Sequence, residues 1–306
     1  MNCKVFIRNY FPLLFYIRLL FCRLLMRYFP VYMVKICYKR RLGKELNLKK
    51  PIDLNEKINW LKLYSDTTLW SDLADKYKVR EFVEKKGFGY MLNDLYGVWK
   101  SPKEIDFKSL PVRFVLKTNN GSGDVIIVKD KSTVDEAEIR RRLNTYLKRH
   151  FGVLTAEPHY LKISPHIICE KYLEQSSSLS SSLIDYKFYC SRGEVLSVMV
   201  CFDRITGGHA EKVIYDLESW TPHLEYLRSN YKTEETNRFI PRPISLNKML
   251  EASRSLSELF PLVRVDFYEI GGKPLFGEMT FTSEAGYISY LTDEYLVELG
   301  KMVDLQ

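Results

Sequence analysis

The chain has 306 residues, a formal net charge of +8, 46% hydrophobic residues and 27% charged residues. That length and apolar share exclude a disordered chain and leave room for a sizeable core in one large domain or two lobes. The charge is uneven: residues 1–50 carry Arg8, Arg18, Arg23, Arg27 and the run Lys39-Arg40-Arg41 against one acid, Glu45, and the remainder nearly balances. The basicity therefore belongs to one segment, which excludes a general nucleic-acid-binding surface.

That segment, VFIRNYFPLLFYIRLLFCRLLMRYFPVYMVKICYKRR, is apolar, aromatic and basic at once. A spanning helix needs roughly 20 apolar residues in a row, whereas the arginines leave no more than nine residues without a charge. No small-residue cleavage site follows, so it does not read as a signal peptide. Two readings stay open: a helical segment lying in a membrane interface with its arginines on anionic headgroups, or a helical hairpin packed on the protein's own surface. The first is the expectation for residues 1–50. The six cysteines (Cys3, Cys22, Cys37, Cys169, Cys190, Cys201) form no C-x-x-C pair, and the five histidines show no zinc spacing. Buried thiols in a reducing, cytoplasmic setting are expected, without a structural metal.

Next in order, NEKINWLKLYSD and SDLADKYKVREFVEKKG read as helices, the second from Ser71 to Gly87. FVLKTNNGSGDVIIVKD follows, with two apolar runs around Thr118-Asn119-Asn120-Gly121-Ser122-Gly123. A minimal hairpin needs two turn residues. This loop is longer, rich in unhindered amides, and opens beside Lys117, a combination suited to a flap over phosphates. An ordinary surface hairpin is the alternative. VDEAEIRRRLNTYLKRHF then reads as a helix. HIICEKYL, DYKFYCSRGEVLSVMVCF and VIYDLE read as strands, with the serine tract 176–182 as a mobile loop between them. NKMLEASRSLSELF is amphipathic, and LVRVDFYEIGGKPLFGEMTFT is a second hairpin. The order predicts an α+β fold in two lobes, about 51–150 and 151–306, with a mostly antiparallel sheet under one covering helix.

On the second hairpin, Arg264, Asp266 and Tyr268 share one strand face, and Glu278, Thr280 and Thr282 share one face of the other. A turn of about three residues at Gly271-Gly272 sets Asp266 opposite Glu278, with Cβ atoms about 5 Å apart. Like charges so placed are unfavourable unless a cation lies between them. Oxygen ligands of this kind, with hydroxyls beside them, suit Mg²⁺ carried by a nucleotide. Arg264 on that face can hold a transferring phosphoryl group. Replacing one acid by its amide is then expected to relieve repulsion and leave stability unchanged. A solvated hairpin face is the alternative.

Together these blocks, with ADKYKVREFV, CFDR and FGEMTFTSEAG, resemble an ATP-grasp fold, and within it the TupA-like group linked to teichuronopeptide and surface-polysaccharide biosynthesis. The resemblance runs from about Asp53 to the C-terminus. It implies that Lys117 contacts nucleotide phosphates and that Asn119, Gly121, Ser122 and Gly123 form the phosphate loop. CEKYL implies that Glu170 and Lys171 approach the adenine edge, with the backbone of Tyr172 and Leu173 receiving it. Asp185 would meet the ribose, Lys187 a phosphate, and Asp266 and Glu278 would hold Mg²⁺. Relatives often carry an asparagine where Thr280 stands, so Thr280 takes the third metal position with the ligand number open. The usual first domain that helps bind the acceptor is replaced here by the basic segment and a helical pair.

The activity implied is ATP-dependent joining of a carboxylate to an amine through an acyl phosphate, on a cell-surface polysaccharide or its precursor. A lipid-linked saccharide as substrate would explain an interfacial N-terminus at the inner face of the plasma membrane. A glycosyltransferase is the main alternative, although no Asp-x-Asp motif occurs; an ATP-grasp-type phosphotransferase and a non-enzymatic membrane adaptor are others.

Overall fold

The computed structural model describes residues 12–175, 179–205 and 210–305. Cys3 and Arg8 of the basic segment and the start of the serine tract lie outside the described residues.

Two helices open the described residues, α1 (Pro12–Tyr28) and α2 (Pro30–Leu42). Proline at the first position of α2 fits the missing N–H, and Gly43 ends it in the left-handed region at φ +71°. One side of α2 is buried: Met33, Val34, Cys37 and Tyr38 pack on Ala156, Ala285 and Tyr287. The helical-hairpin reading thus holds for the inner side of this segment, while α1 keeps a row of exposed apolar side chains.

Helix α3 (Leu54–Tyr64) starts under the Asp53 carboxylate, which accepts from Glu56 N at 2.8 Å. The single helix expected over 71–87 is two, α4 (Thr68–Leu73) and α5 (Val79–Lys85). Asp75 causes the break. Buried between them, it accepts from the amides of Tyr77 and Lys78 with Oδ1 and from the Asn119 amide with Oδ2. Such side-chain bonds to nearby amides compete with the helix.

The smaller sheet has the order β1-β4-β2-β3, from β1 (Leu95–Trp99), β2 (Phe114–Thr118), β3 (Val125–Val128) and β4 (Ile167–Lys171), all antiparallel. Strand β4 therefore completes the flap's own sheet and does not join the later strands beside which its sequence position set it. Helix α6 (Glu136–Leu147), capped by Asp135, buries Ile139 and Leu143 against Phe114 and Leu116.

The larger sheet has the order β10-β9-β5-β6-β7-β8 and is also antiparallel. Its strands are β5 (Asp185–Ser191), β6 (Glu194–Phe202), β7 (Glu211–Tyr215), β8 (Pro222–His223), β9 (Val263–Ile270) and β10 (Lys273–Thr280). Helix α7 (Leu246–Ser257) covers the face carrying Phe188, Val265 and Phe267, as the amphipathic pattern predicted. Leu246, Met249 and Leu256 are fully buried there, each contributing about 1.5–3 kcal/mol. The opposite face carries the charged side chains.

A last helix, α8 (Asp293–Lys301), is capped by Thr292 and packs on α3. Gly300 lies so close to that helix's entry that an added Cβ would run into the Ile52 carbonyl and come within 2.9 Å of Asp53 Cα. Gly300→Ala is expected to cost about 1–3 kcal/mol through overpacking, readable as a lower melting temperature with the isolated helix propensity improved.

Candidate active site

The hairpin of β9 and β10 turns through two residues, Gly271 (φ +56°) and Gly272 (φ +73°), where left-handed backbone suits glycine. Such a turn alone would set Gly277 opposite Asp266. A bulge between Phe276 and Glu278 adds the missing residue, so Asp266 and Glu278 are direct partners after all. A side chain at Gly277 would press on the Asp266 carbonyl at 3.1 Å. The next strand adds Lys187 opposite Asp266, Asp185 opposite Tyr268 and Tyr189 opposite Arg264.

The acids do not face each other bare. Arg264 grips Asp266 with two bonds of 2.7 Å and reaches Glu278 at 3.5 Å and the Thr280 hydroxyl at 3.2 Å. Lys187 lies between Asp266 and Asp185, 2.6 Å from the latter. Lys76, from the turn after α4, approaches Glu278 at 3.2 Å. The cations that the pair requires are thus supplied by side chains, and the expectation of a strained, metal-free pair is corrected. Burial by itself would raise the Glu278 carboxyl; Lys76, Lys187 and Arg264 instead hold it well below the usual carboxylate range. Burial likewise works against the Lys187 ammonium, yet Asp185 and Asp266 hold it above its ordinary value. At Asp185 burial wins over Lys187 and pushes the carboxyl up.

Lys76 also donates to the Gly121 carbonyl at 2.8 Å, so one ammonium joins the flap to the acidic strand across the cleft between the two sheets. Within the flap, Gly121 is buried against Phe151, while Ser122 and Gly123 are exposed and Gly123 has φ +80° with open space around it. Asn119 has a different task from the one expected. It is fully buried, donates to Asp75 and Ser164, and accepts from the His166 amide, so its side chain ties the flap's root to α4, α5 and β4.

Lys117 lies on the cleft face of β2, where it pairs with Glu170 at 2.7 Å; Arg80 stands 3.9 Å from the same carboxylate. The structure brings together these two sequence candidates. It separates Lys171 from them. Adjacent strand residues point to opposite faces, and Lys171 lies on Phe114's face, exposed and bridged to Asp94 at 3.0 Å. Its backbone is also engaged, N–H to Asp94 and carbonyl to Asn93. Tyr172 and Leu173 follow, both half-buried.

Among the described residues no group of three His, Cys, Asp or Glu side chains could hold a metal alone. Two carboxylates and the Thr280 hydroxyl, 3.2 Å from Glu278, nonetheless fit a magnesium ion that takes its other oxygens from nucleotide phosphates and water. Each carboxylate retains lone pairs beyond those its cations occupy. Among the described residues Asp185 Oδ1 is buried without a partner, as an acceptor awaiting a ligand hydroxyl would be.

Lys76, Arg80 and Arg204, which reaches Asp185 at 3.1 Å, are site residues that the sequence reading missed. The loop after β10 begins beside them, with the Ser283 hydroxyl 3.5 Å from Arg264 Nη1. Glu284 (φ +47°) and Ala285 (φ +58°) hold left-handed backbone without being glycine, a strain that clusters at functional sites. Lys62 secures the Ala285 carbonyl at 2.7 Å, and Asn59 that of Gly286 at 2.7 Å.

A family model described as TupA-like ATPgrasp matches residues 56–304. No curated protein sequence matches the chain. Among solved structures, a D-alanine–D-alanine ligase from Bacillus anthracis is 16% identical with a TM-score of 0.41, covering 81% of this chain and 69% of that one. N5-carboxyaminoimidazole ribonucleotide synthetase from Thermus thermophilus is 13% identical, TM-score 0.43, over 74% and 52%. The biotin carboxylase complex from Campylobacter jejuni is 11% identical, TM-score 0.45, over 82% and 51%. The chain spans about half to two thirds of these structures' own lengths.

Proposed function

The chain belongs to the TupA-like ATP-grasp family and is an ATP-grasp enzyme, and from that premise we propose that it is a carboxylate–amine ligase. The observation that carries the reading is Lys76, which bridges the flap carbonyl of Gly121 and the carboxylate of Glu278 and so marks where a nucleotide's phosphates would replace a carboxylate. A substrate carboxylate oxygen would attack the γ-phosphorus of ATP, the bond to the β-bridging oxygen would break, and ADP would leave. The amine would then attack the acyl carbon, form the C–N bond, lose a proton and expel inorganic phosphate.

Both steps develop charge on phosphoryl oxygens, so positioned cations carry most of the catalysis. Lys76, Lys117 and Arg264 would receive the phosphates, with Lys187 fixing Asp266 and Asp185 on either side. The flap amides of Gly121, Ser122 and Gly123 would close over the chain, and Glu170 and the backbone of Tyr172 and Leu173 would meet the base. Asp185 would accept from a ribose hydroxyl. Asp266, Glu278 and Thr280 would hold the magnesium ion, which when bound neutralises phosphate charge.

The natural carboxylate and amine are proposed to belong to a surface polysaccharide or its lipid-linked precursor. The enzyme would work on the cytoplasmic side, against an anionic membrane surface. The exposed apolar row on α1 supports this placement, and among the described residues no helix is long and apolar enough to cross a membrane.

Lys117→Met tests the nucleotide site. Glu170 keeps Arg80 nearby, so the nucleotide-free melting temperature should fall little. ATP affinity should drop about tenfold or more, equivalent to roughly 1.4 kcal/mol, by equilibrium titration. Unchanged affinity would remove Lys117 and its flap from the site.

A further inference from the structure

Helix α1 shows two unlike sides. Toward the body it turns Leu19, which is buried, with Cys22, Leu25 and Met26 packed on the α2 cluster. Outward it shows Leu13, Ile17, Leu20, Phe21, Leu24 and Tyr28; Leu13 is 71% exposed, and Leu20 and Phe21 are 60% exposed each. A contiguous apolar face of this extent is rare on a surface that meets only water. Seventeen helical residues measure about 25 Å, short of the roughly 30 Å hydrocarbon core. Arg18, Arg23 and Arg27 interrupt them as well, so the helix can lie in an interface but not cross it. From Pro12 to Lys44 there is no acid, while Arg27, Lys35, Lys39 and Arg40 stand exposed around the same hairpin. Glu45, just after the hairpin, pairs with Lys39, and the remaining cations beside the apolar face suit an anionic bilayer.

The inner side of α1 leads to the flap. Arg23 Nη2 donates to His150 Nδ1 at 2.7 Å, and Cys37 of α2 reaches the Leu154 carbonyl at 3.7 Å. Arg149, next to His150, pairs with Asp124 at the flap's foot. Phe151 lies against the flap glycine, with ring atoms 3.4 Å from where a Cβ on Gly121 would stand. Residues 149–157 are therefore clasped between the helical hairpin on one side and the flap on the other.

We propose that the outer face of α1 docks flat on an anionic bilayer and that docking is transmitted through Arg23, residues 149–157 and Phe151 to the nucleotide flap, tightening it on ATP. The inference deepens the membrane placement above and rests on the flap being the ATP site. Ordering α1 against lipid would fix the clasped segment and lower the cost of closing the flap on a nucleotide, which is a coupling between two sites.

The test uses the full chain with vesicles of phosphatidylglycerol and phosphatidylcholine, and with phosphatidylcholine alone. Flotation should occur with the anionic vesicles, and the Kd for ATP should fall about fivefold or more in their presence. Leu20→Asp with Phe21→Asp, both on the exposed face, should abolish flotation and the stimulation while leaving the vesicle-free Kd at the parent value. Arg23→Ala should float like the parent but lose the stimulation. Flotation without any change in Kd overturns the coupling, as does stimulation retained in Arg23→Ala. Absence of flotation, or loss of the apolar face into a concentration-dependent dimer that vesicles leave intact, overturns the docking. If ATP binds under no condition, the ligase reading fails and takes the coupling with it, and flotation, which needs no nucleotide, tells that failure apart.

Discussion

Glu278→Gln is expected to abolish magnesium-dependent ATP turnover at almost no cost in stability, whereas Asp266→Asn should lose both. The two carboxylates are cross-strand partners, but their surroundings differ. Asp266 has 3% side-chain exposure and holds two buried cations, Arg264 and Lys187. Removing its charge leaves both short of a counter-ion, and breaking a buried pair from one side costs about 3–5 kcal/mol. For a chain of this size that lowers the melting temperature by about 5–10 °C. Glu278 is 34% exposed, and solvent screens its pairs with Lys76 and Arg264, so its amide should cost no more than about 1 kcal/mol. Its carboxyl is held below the ordinary value, so its small contribution is present above the unfolded value of about 4.3 and is lost as pH falls below it. The acid limb of the stability curve should accordingly be shallower in Glu278→Gln. Thermal melts across pH, with turnover on the same samples, check all three statements. Equal melting losses in the two variants would contradict this division of roles.

Lys187→Met should be about as damaging to stability as Asp266→Asn. It removes the ammonium shared by Asp185 and Asp266 and leaves two carboxylates as diagonal neighbours on adjacent strands. Asp266 keeps Arg264, and among the described residues Asp185 keeps the half-exposed Arg204. A loss of about 3–5 kcal/mol at pH 7 follows. The pH dependence identifies the cause. Burial already raises the Asp185 carboxyl, and without Lys187 it rises further. An acid whose folded pKa is raised costs stability above that pKa and recovers it on protonation, so the deficit against the parent should shrink as pH falls from 7 toward 5. A deficit independent of pH would mean that lost packing, not charge, is responsible.

How much of this was legible depended on range. Asp266 and Glu278 could be paired from the two-residue period and the glycine pair, although the real register comes from a two-residue turn plus the Gly277 bulge, which happens to equal a longer turn. Arg264 could be placed for the same reason, since strand alternation is local, and Lys117 by its place at the mouth of the glycine-rich loop, whereas Asp185 and Lys187 entered only through the family resemblance. Alternation should also have warned that Glu170 and Lys171 cannot serve one cleft. Lys76 was hidden because its position follows from the break at Asp75, and that break is fixed by Asn119, distant in sequence. Strand β1 was missed because LYGVW is short, carries Gly97, and is bulged where it pairs with β4. Helix α8 did carry a signal, Thr292 followed by Asp293 and Glu294 in the first turn, which is a capping pattern.

Hydroxylamine trapping tests the ligase assignment most directly. The protein, ATP, magnesium and a panel of uronic acids and amino acids are incubated with hydroxylamine in place of the natural amine, and ADP and acyl hydroxamate are measured together. The account predicts that one class of carboxylate gives ADP and hydroxamate in equal amounts, that chelating the magnesium stops both, and that Glu278→Gln forms neither. ADP formed with a phosphorylated hydroxyl product and no hydroxamate would contradict it, and would assign the same nucleotide site to phosphoryl transfer instead.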